Sequence, residues 1–369
     1  MLSVERIDAG RFASMGEEWN ALLADSDADS VFLTWEWLHT WWRHLGGRHR
    51  LRILAVRDGG ELVAVAPLAR APLQLDRFLP FPSLRWLGTG AVGSDYLDLV
   101  IRRGWEDAAV AVLADHVRAE GAMLELRQLG SGAQAWRLAE RLAPAGWTAR
   151  PAATEVCPFI RLEGRTWEAY LASLGSAHRA NVQRRLRSLG REFGVELVRV
   201  RTEEERAAAL DRLIALHQAR WRGRGRSEAF ASRGLVAFHH ELTRRALAAG
   251  WLRLLELRLD GVAAAALYGF RYKKAFSFYQ SGLDPRFARQ SVGLVTMGLA
   301  IRSAIEEGAH EYDLLHGAEG YKFLWARETR PLGRLELFPP RWRGYLCERS
   351  LSLGRAARHT ARRVLGGAA

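Results

Sequence analysis

Two segments of the 369-residue chain repeat each other at a constant offset of 201 residues, from Leu51 to Leu252. Leu51–Gly60 reads LRILAVRDGG and Leu252–Gly261 reads LRLLELRLDG, and five aligned positions are identical. Each segment leads into a second apolar run, 62–68 and 262–270. Two such runs joined by an Asp-Gly-type turn are typical of a β-hairpin. One hairpin in each half predicts a duplicated α/β fold, and chance similarity of two Leu- and Arg-rich hairpins is the alternative.

The length favours two domains, at roughly 150 residues per domain. We predict domains at 1–155 and 156–338, separated within 151–158, which has a proline at each end and no periodicity. The segment 339–369 is rich in Arg without a clean apolar stripe, which predicts a basic helical tail. Contact of this tail with a membrane surface is an open alternative.

Composition excludes several classes of protein. An apolar content of 49% is too high for a disordered chain, and two cysteines, Cys157 and Cys347, provide neither a disulfide scaffold nor a four-cysteine zinc site. Glu5 and Asp8 lie where a signal peptide would be basic and then apolar. The longest uncharged apolar-rich stretch, 261–270, falls short of the ~20 residues of a membrane helix. We expect a cytoplasmic protein without a metal.

The chain is strongly basic, with 54 Lys and Arg against 41 Asp and Glu and a net charge of +13. Lys273, Lys274 and Lys322 are its only lysines. This excess of arginine has two interpretations that charge alone does not separate. One is codon composition, and the other is attraction to phosphate-bearing or acidic partners.

Periodicity and capping residues predict alternating helices and strands in both halves. In the first half Thr34 is the expected N-cap of a buried helix. The predicted elements there are helices 35–45, 105–120 and 133–142 and strands 96–101 and 123–129. In the second half, after the boundary, Ser176 is the expected cap of an Arg-dense helix. The elements predicted besides the hairpin are helices 167–174, 177–193, 203–221, 235–249 and 292–308, strands 275–283 and 312–315, and a helical turn at 321–326.

The junction of the third second-half strand with the helix from Val292 is a candidate anion site. A helix beginning after a central strand presents free backbone N–H groups and the positive end of its dipole. Gly293 would let a phosphate approach the backbone, Ser291 can cap the helix, and Arg289 adds positive charge. An ordinary helix start is the alternative.

Several motifs carry a resemblance to a known family. Gln290-x-x-Gly293 resembles the acyl-CoA-binding segment of the GNAT acetyltransferase superfamily. The wider set resembles the CelD/FemAB-like acetyltransferases, also grouped with cellulose-biosynthesis proteins, over residues 30 to 330. Its members are FLTWEW at 32–37, VAPL at 65–68, HRANVQRR at 178–185, RWRGRG at 220–225, Asp284-Pro285, YDLLHG at 312–317, EGYK at 319–322 and Trp325.

The resemblance implies tandem duplicated GNAT-like domains, with mixed central sheets flanked by helices and the second domain active. It implies acetyl-CoA as acyl donor, bound by Arg289, Gln290, Ser291, Gly293 and Leu294. FemAB relatives use aminoacyl-tRNA instead. The superfamily pattern continues to a small residue where this chain has Val295, which leaves room for another donor.

Acyl transfer to an amine requires deprotonation first. Deprotonating an amine with a pKa near 10.4 at pH 7 costs about 4.6 kcal/mol, whereas protonating a leaving thiolate with a pKa near 8.5 requires only about 2 kcal/mol of assistance. Glu319, His316 and Asp313 are therefore candidate bases, and Tyr321 is a candidate acid. The alternatives are a structural histidine, a solvated loop carboxylate and a core tyrosine.

Substrate-binding candidates are Lys322, Arg184 and Arg185. Lys322 would hold an anionic group of donor or acceptor. The arginines would follow the phosphates of a tRNA or a nucleotide-linked sugar, with a solvated basic face as the alternative. Aromatic residues do not interleave with them, as they would in a single-strand-binding groove. Dinucleotide, Walker, zinc-protease and serine-hydrolase motifs do not occur in the sequence.

The sequence thus predicts an N-acyltransferase that moves an acyl group, favoured as acetyl, from acyl-CoA to a small-molecule amine or amino sugar, in polysaccharide or cell-envelope synthesis. A FemAB-type aminoacyltransferase with a tRNA donor is the second hypothesis. A non-catalytic accessory of polysaccharide synthesis is the third.

Overall fold

The computed structural model describes residues 1–71, 83–222, 227–342, 344–346 and 348–349, and these form two compact units. The first comprises Met1–Gly90, Ser94–Thr154 and the described residues from Leu332 onward. The second comprises Ala91–Gly93 and Glu155–Pro331. The division predicted from the sequence placed 332–338 in the second domain. The structure groups this segment with the first unit because its strand pairs with Met123–Leu129.

The first unit begins with a strand and three helices that precede the first copy of the repeat. Its elements are β1 (Leu2–Ile7), α1 (Ala9–Ser14), α2 (Gly16–Ala24), α3 (Trp35–Leu45), β2 (Arg50–Leu51), β3 (Ile53–Asp58), β4 (Glu61–Ala66), β5 (Leu68–Arg70), β6 (Ser83–Trp86), β7 (Val100–Ile101), α4 (Glu106–Glu120), β8 (Met123–Leu129), α5 (Gln134–Leu142) and the first part of β9 (Thr148–Arg161). Strands β1, β3, β4 and β7 form one antiparallel sheet in that order.

The second unit follows the same order of strand, helices and hairpin. Its elements are the rest of β9, α6 (Trp167–Ser173), α7 (Ser176–Glu192), β10 (Val195–Arg199), α8 (Glu203–Trp221), α9 (Arg233–Ala248), β11 (Leu252–Leu259), β12 (Val262–Tyr272), β13 (Ala275–Leu283), α10 (Val292–Glu306), β14 (Glu311–Asp313), α11 (Lys322–Trp325) and the start of β15 (Glu328–Phe338). The sheet order is β10-β11-β12-β13-β14-β9, and β13 and β14 are its parallel pair.

The two repeated segments are hairpins of the same register. Gly59-Gly60 joins β3 to β4 and Asp260-Gly261 joins β11 to β12, and both residues of each loop have positive φ, as a tight hairpin turn requires. Each hairpin also has a register shift, opposite Val56–Arg57 in one and Leu257–Arg258 in the other, where Val63 of β4 and Ala264 of β12 are the extra residues. These positions are again 201 residues apart. A β-bulge repeated at the equivalent position supports duplication.

Most of the predicted helices form within two residues of the expected bounds. Thr34 caps α3 by accepting a hydrogen bond from the backbone N–H of Trp37, and Thr202 and Glu205 form a capping box at α8. Ser176 was wrongly predicted as the cap of α7: it is the first helical residue, and Gly175 occupies the cap position without a side-chain bond. The stretch 151–158 lies inside strand β9, although its sequence shows no alternation.

A continuous apolar core in the second unit fixes the elements around the candidate site. Phe276 of β13 stacks on Tyr312 of β14 with ring centroids 4.5 Å apart, and Tyr170 of α6 donates a hydrogen bond to the Trp325 carbonyl at 3.0 Å. Met297 and Ile301 of α10 belong to the same buried cluster. Full burial of each such large apolar side chain stabilises the fold by about 1.5–3 kcal/mol.

No helix in the described ranges is both long and apolar enough to cross a bilayer.

Candidate functional site

Strands β13 and β14 separate at the centre of the second unit's sheet. They pair over only three positions, from Ala275 with Glu311 to Ser277 with Asp313. Strand β14 then ends, while β13 continues to Leu283. In the described part of the chain, no other strand pairs with this edge of β13 beyond Ser277. The separation opens the sheet and leaves one strand edge facing the gap.

Helix α10 begins beside this gap. Ser291 occupies its N-cap position with φ +57°, and its side chain makes no capping bond. Its carbonyl accepts hydrogen bonds from the backbone N–H groups of Leu294 and Val295. The N–H groups of Val292 and Gly293 have no acceptor among the residues described. Two unused donors at the positive end of a 15-residue helix form an arrangement suited to an anion.

The turn before α10 is held by Asp284 and Pro285. The Asp284 carboxylate accepts from the Arg286 backbone N–H at 2.9 Å and from its guanidinium at 2.6 and 2.9 Å. The hydrogen bond from the Arg286 side chain holds the pKa of Asp284 below its usual value. The Asp284 N–H donates to the Ala264 carbonyl of β12. These bonds fix the path by which the chain leaves β13 and enters the helix.

A cavity of about 250 Å³ lies in the gap. It is lined by three residues of β12, the open end of β13, the first turns of α10, the α11 region and one residue of α8. Its lining residues are Arg220, Ala265, Ala266, Leu267, Phe278, Ser281, Gly282, Leu283, Gly293, Leu294, Thr296, Met297, Tyr321, Leu324 and Trp325. Arg220 is the one charged residue in this lining.

The structure distributes the five predicted donor-binding residues over two places. Gly293 and Leu294 line the cavity. The Arg289 side chain is exposed, and its carbonyl accepts a hydrogen bond from Arg185 Nη1 at 2.9 Å. Gln290 Nε2 donates to Glu192 Oε1 at 3.1 Å, which joins the loop to the end of α7. Helix α7 therefore holds the loop in place through Arg185 and Glu192. Ser291 bonds the start of α10 through its backbone carbonyl and not through its hydroxyl.

The two predicted substrate-binding arginines of α7 are placed differently. Arg185 reaches the loop before α10 as described, whereas Arg184 is exposed and donates to Asn181 Oδ1 at 2.9 Å. Arg185 thus lies next to the predicted donor site. Arg184 has no contact with that loop among the hydrogen bonds of the described residues.

Of the predicted acid and base residues, Tyr321 is the one in the cavity lining. Burial raises its pKa to about 12, and the neighbouring Glu319 carboxylate adds to the rise. The phenol is therefore protonated at neutral pH. Glu319 lies two residues earlier with its side chain 57% exposed, and His316 lies close to Gly93, where an added Cβ would be 3.1 Å from the imidazole Cε1.

Lys322 and Asp313 fix the loop between β14 and α11. The buried ammonium of Lys322 donates to the carbonyls of Leu315 at 3.1 Å and His316 at 2.5 Å, and pairs with Glu319 at 3.0 Å. Asp313 accepts from the Leu315 N–H at 2.7 Å. Lys322 thus orients the segment that carries both His316 and Glu319, and its role in substrate binding stays a prediction.

Sequence reasoning did not assign Arg220, Ser281 and Thr296 to the site. Arg220 opens the RWRGRG segment that contributed to the family resemblance, which was the available signal. Ser281 is held from behind by His217, whose Nδ1 donates to the Ser281 carbonyl at 2.8 Å and whose Nε2 accepts from Ser227 Oγ at 2.8 Å. Burial lowers the pKa of His217, so the ring is neutral and both nitrogens are engaged.

Across the residues that the structure describes, no three His, Cys, Asp or Glu side chains converge as a metal site would require.

Comparison with known proteins identifies the fold of the chain. Residues 176–323, from α7 to α11, match the family model of the acetyltransferase (GNAT) domain. No curated protein matches the sequence. Solved structures similar to the whole chain include FemX, with 12% identity over 90% of this chain and 96% of that one and a TM-score of 0.61.

Two further solved structures are similar to most of the chain. The C-terminal domain of a putative lysylphosphatidylglycerol synthetase from Agrobacterium fabrum has 14% identity over 94% of this chain and 96% of that one, with a TM-score of 0.55. L-PGS from Bacillus licheniformis has 12% identity over 92% and 95%, with a TM-score of 0.54. The predicted fold class, tandem GNAT-like α/β units with mixed sheets flanked by helices, is confirmed.

Proposed function

We propose that this protein is an N-acyltransferase that transfers an acyl group, favoured as acetyl, from acyl-CoA to an amine or amino sugar. The observation that carries the proposal is the cavity between β13 and α10, which Gly293 lines, together with the unused N–H groups of Val292 and Gly293 at the start of that helix. The GNAT match covers every lining residue of this cavity except Leu324 and Trp325.

The residues present fit a diphosphate-bearing donor. Val292 and Gly293 supply two N–H donors, and the absence of a Cβ at Gly293 lets an anion approach the backbone. Val295, which departs from the superfamily pattern, is buried in a cluster with Leu257 and Ala265. Its side chain therefore packs on the sheet and leaves the corner open. Acyl-CoA would supply an acyl group already activated as a thioester.

Residues around the cavity can assist each proton movement. In the transfer, a C–N bond forms to the acceptor amine and the C–S bond breaks, while one proton leaves the nitrogen and one reaches the sulfur. Tyr321 remains protonated and can donate a hydrogen bond to the departing sulfur. Glu319, two residues away and exposed, is the base we favour, and the open edge of β13 supplies N–H groups for the developing oxyanion.

A FemAB-type aminoacyltransferase with a tRNA donor is the second candidate. Helix α7 exposes Arg184, Arg187 and Arg191, and an exposed row of arginines favours a polyanionic ligand. The likeness to FemX and to the synthetase domain supports this alternative at the level of fold. The link to cellulose or envelope synthesis and the cytoplasmic location belong to the proposal as expectations of the family resemblance.

A thermal-shift panel separates the donors. CoA and acetyl-CoA should raise the unfolding temperature of the wild type and of Gly132→Trp, a control in an open loop of the first unit. Gly293→Trp should abolish this rise because the indole would fill the corner. Stabilisation by tRNA that exceeds that by a random polyanion at moderate salt would favour the second candidate. No shift with CoA or acetyl-CoA would remove the first.

The third hypothesis, a non-catalytic accessory, is tested by turnover. Release of free thiol from acetyl-CoA that requires both an amine and Glu319 would exclude it.

A further inference from the structure

Helices α8 and α10 pack on opposite faces of strand β13. A Cβ added at Gly282 would lie 2.5 Å from the backbone nitrogen of His217 in α8. The next residue, Leu283, faces α10 instead, because its Cδ2 lies 3.1 Å from the position of a Cβ at Gly293. Successive strand residues point to opposite faces, as these two contacts show. The predicted donor corner is therefore on the α10 face.

The backbone of Arg220 lies on the α8 face of β13, and its guanidinium lies on the α10 face. It lies in the last turn of α8, yet its Nη1 is 3.5 Å from Ser281 Oγ. Ser281 is two residues before Leu283 and so shares its face, towards α10. Because the opposite edge of β13 is paired with β12, the guanidinium must extend past the open edge of β13. Arg220 thus enters the cavity from the α8 side.

The guanidinium of Arg220 has no carboxylate partner within ion-pair distance among the described residues. Arg212, eight residues earlier on α8, shows the contrast: it binds both oxygens of Glu256, at 2.6 and 3.1 Å. Residues 223–226, which follow Arg220 closely in the chain, are only Gly and Arg. Arg220 is half-buried and its described polar contact is with the neutral Ser281 hydroxyl, so its charge is available to an anionic ligand in the cavity.

The charge of Arg220 also acts on the predicted acid. The Arg220 guanidinium opposes the rise in the pKa of Tyr321 that burial and Glu319 cause. Arg220 is therefore within electrostatic reach of the phenol. An anion bound by Arg220 would lie near the reacting end of the cavity.

We propose that Arg220 binds an anionic group of the acceptor, a carboxylate or a phosphate, that enters from the α8 face. This rests on the proposed function, in which the diphosphate of the donor occupies the α10 corner on the other face. A guanidinium presents paired N–H donors that match either anion. The acceptor class is then an amine with an acidic group close to its nitrogen, such as an amino acid or an amino-sugar phosphate.

The test compares two arginines two residues apart. Inorganic phosphate and acetate are titrated against CoA-saturated wild type, Arg220→Gln and Arg222→Gln at constant ionic strength, with acetamide as the neutral probe and the unfolding temperature as readout. Arg222 is exposed and is outside the cavity lining. At least one anion should stabilise wild type and Arg222→Gln saturably, with about 10-fold weaker affinity in Arg220→Gln. Equal responses in all three proteins, or no response to either anion, would overturn the proposal.

The same panel separates this inference from the proposed function. CoA alone should stabilise all three proteins equally. If Arg220→Gln loses stabilisation by CoA, the residue belongs to the donor site and the inference is overturned. If CoA stabilises none of them while the anion response still depends on Arg220, the proposed function falls and the anion site stands. Where transfer occurs, glucosamine 6-phosphate against glucosamine, and alanine against alaninamide, distinguish phosphate from carboxylate.

Discussion

The two repeated hairpins have the same turn and the same bulge, but the helices that follow them differ in their first turns. Helix α4 of the first unit begins with Glu106 and Asp107, and Asp107 pairs with Arg137. Helix α10 of the second unit has no acidic residue in its first turn and places Gly293 at the cavity. A carboxylate at a helix start already satisfies the dipole. Duplication thus supplied two scaffolds, of which the second retains a helix start open to an anion.

The strands next to these two helices also differ in how they pair. In the second unit β13 pairs with β14 in parallel over three residues and then separates from it. In the first unit β7 has two residues, and β8 pairs with β6 and β15 instead. The opening that forms the cavity therefore depends on the short parallel pairing of β13 with β14 in the second unit.

The largest expected effect comes from giving α10 the charge of α4. We expect Gly293→Asp to weaken CoA binding about 100-fold, or about 2.7 kcal/mol, because the new carboxylate competes for the same N–H groups. Isothermal titration of CoA measures this. The matched control neutralises α4, with Glu106→Gln and Asp107→Asn, and should leave the affinity for CoA unchanged. Equal losses in both variants would contradict the distinction between the two helices.

The next largest effect is on stability and concerns Arg57 and Arg258, the equivalent arginines at the two bulges. Arg258 donates to Glu256, which is 1% exposed, whereas its equivalent Arg57 bonds the partly exposed Glu18 and Glu5. We expect Arg258→Met to lower the free energy of unfolding by about 2 kcal/mol and Arg57→Met by about 1 kcal/mol, since exposed pairs contribute less. Urea denaturation at pH 7 measures both. Arg118→Met, an exposed pair on α4, should change stability by less than about 0.5 kcal/mol.

Acid should weaken both pairs. Burial raises the pKa of Glu256, but the hydrogen bonds from Arg212 and Arg258 outweigh it and lower the pKa overall. The bond from Arg57 likewise lowers the pKa of Glu18. A carboxyl whose folded pKa is lowered stabilises the protein above its unfolded value of about 4.5, and this stabilisation is lost as the pH falls through the folded pKa. The stability difference between wild type and Glu256→Gln should therefore shrink below about pH 4.5. A constant difference down to pH 3 would be inconsistent with this.

The smallest effect should be equal in the two hairpins. Gly60 and Gly261 have φ values of +94° and +80° in equivalent turns. We expect Gly60→Ala and Gly261→Ala each to cost about 1 kcal/mol of unfolding free energy, because an L-residue is strained there. Denaturant midpoints compare the two variants, and a difference of several-fold would argue against equivalent turns.

Much of the local structure was predictable because local signals determine it. Helices α3 and α8 form with the predicted bounds, since Thr34 and the Thr202–Glu205 pair satisfy their first N–H groups. The strand predicted at 96–101 was wrong except for Val100–Ile101. The Asp98 carboxylate accepts from the backbone N–H groups of Gln134 and Ala135 at the start of α5, a partner 36 residues away that the sequence does not indicate.

In the site, too, the locally determined features were predictable and those that depend on distant contacts were not. The corner at Gln290–Leu294 was located from a motif and the order of elements. The place of Arg220 was not predictable, because it depends on β14 ending at Asp313 and leaving an edge of β13 open. The buried contacts of Lys322 likewise depend on two carbonyls of the preceding loop. Local patterns indicate which helix begins with free donors, but not which distant side chain reaches them.

NMR can show whether the N–H groups of Val292 and Gly293 bind the diphosphate of the donor. In an isotope-labelled protein titrated with CoA, we predict downfield shifts of these two amide protons, with the amides of Glu106 and Asp107 unchanged. Pantetheine, which lacks the diphosphate, should leave all four unchanged. If CoA binds without shifting the amide protons of Val292 and Gly293, or shifts those at the start of α4 instead, the start of α10 does not bind the diphosphate.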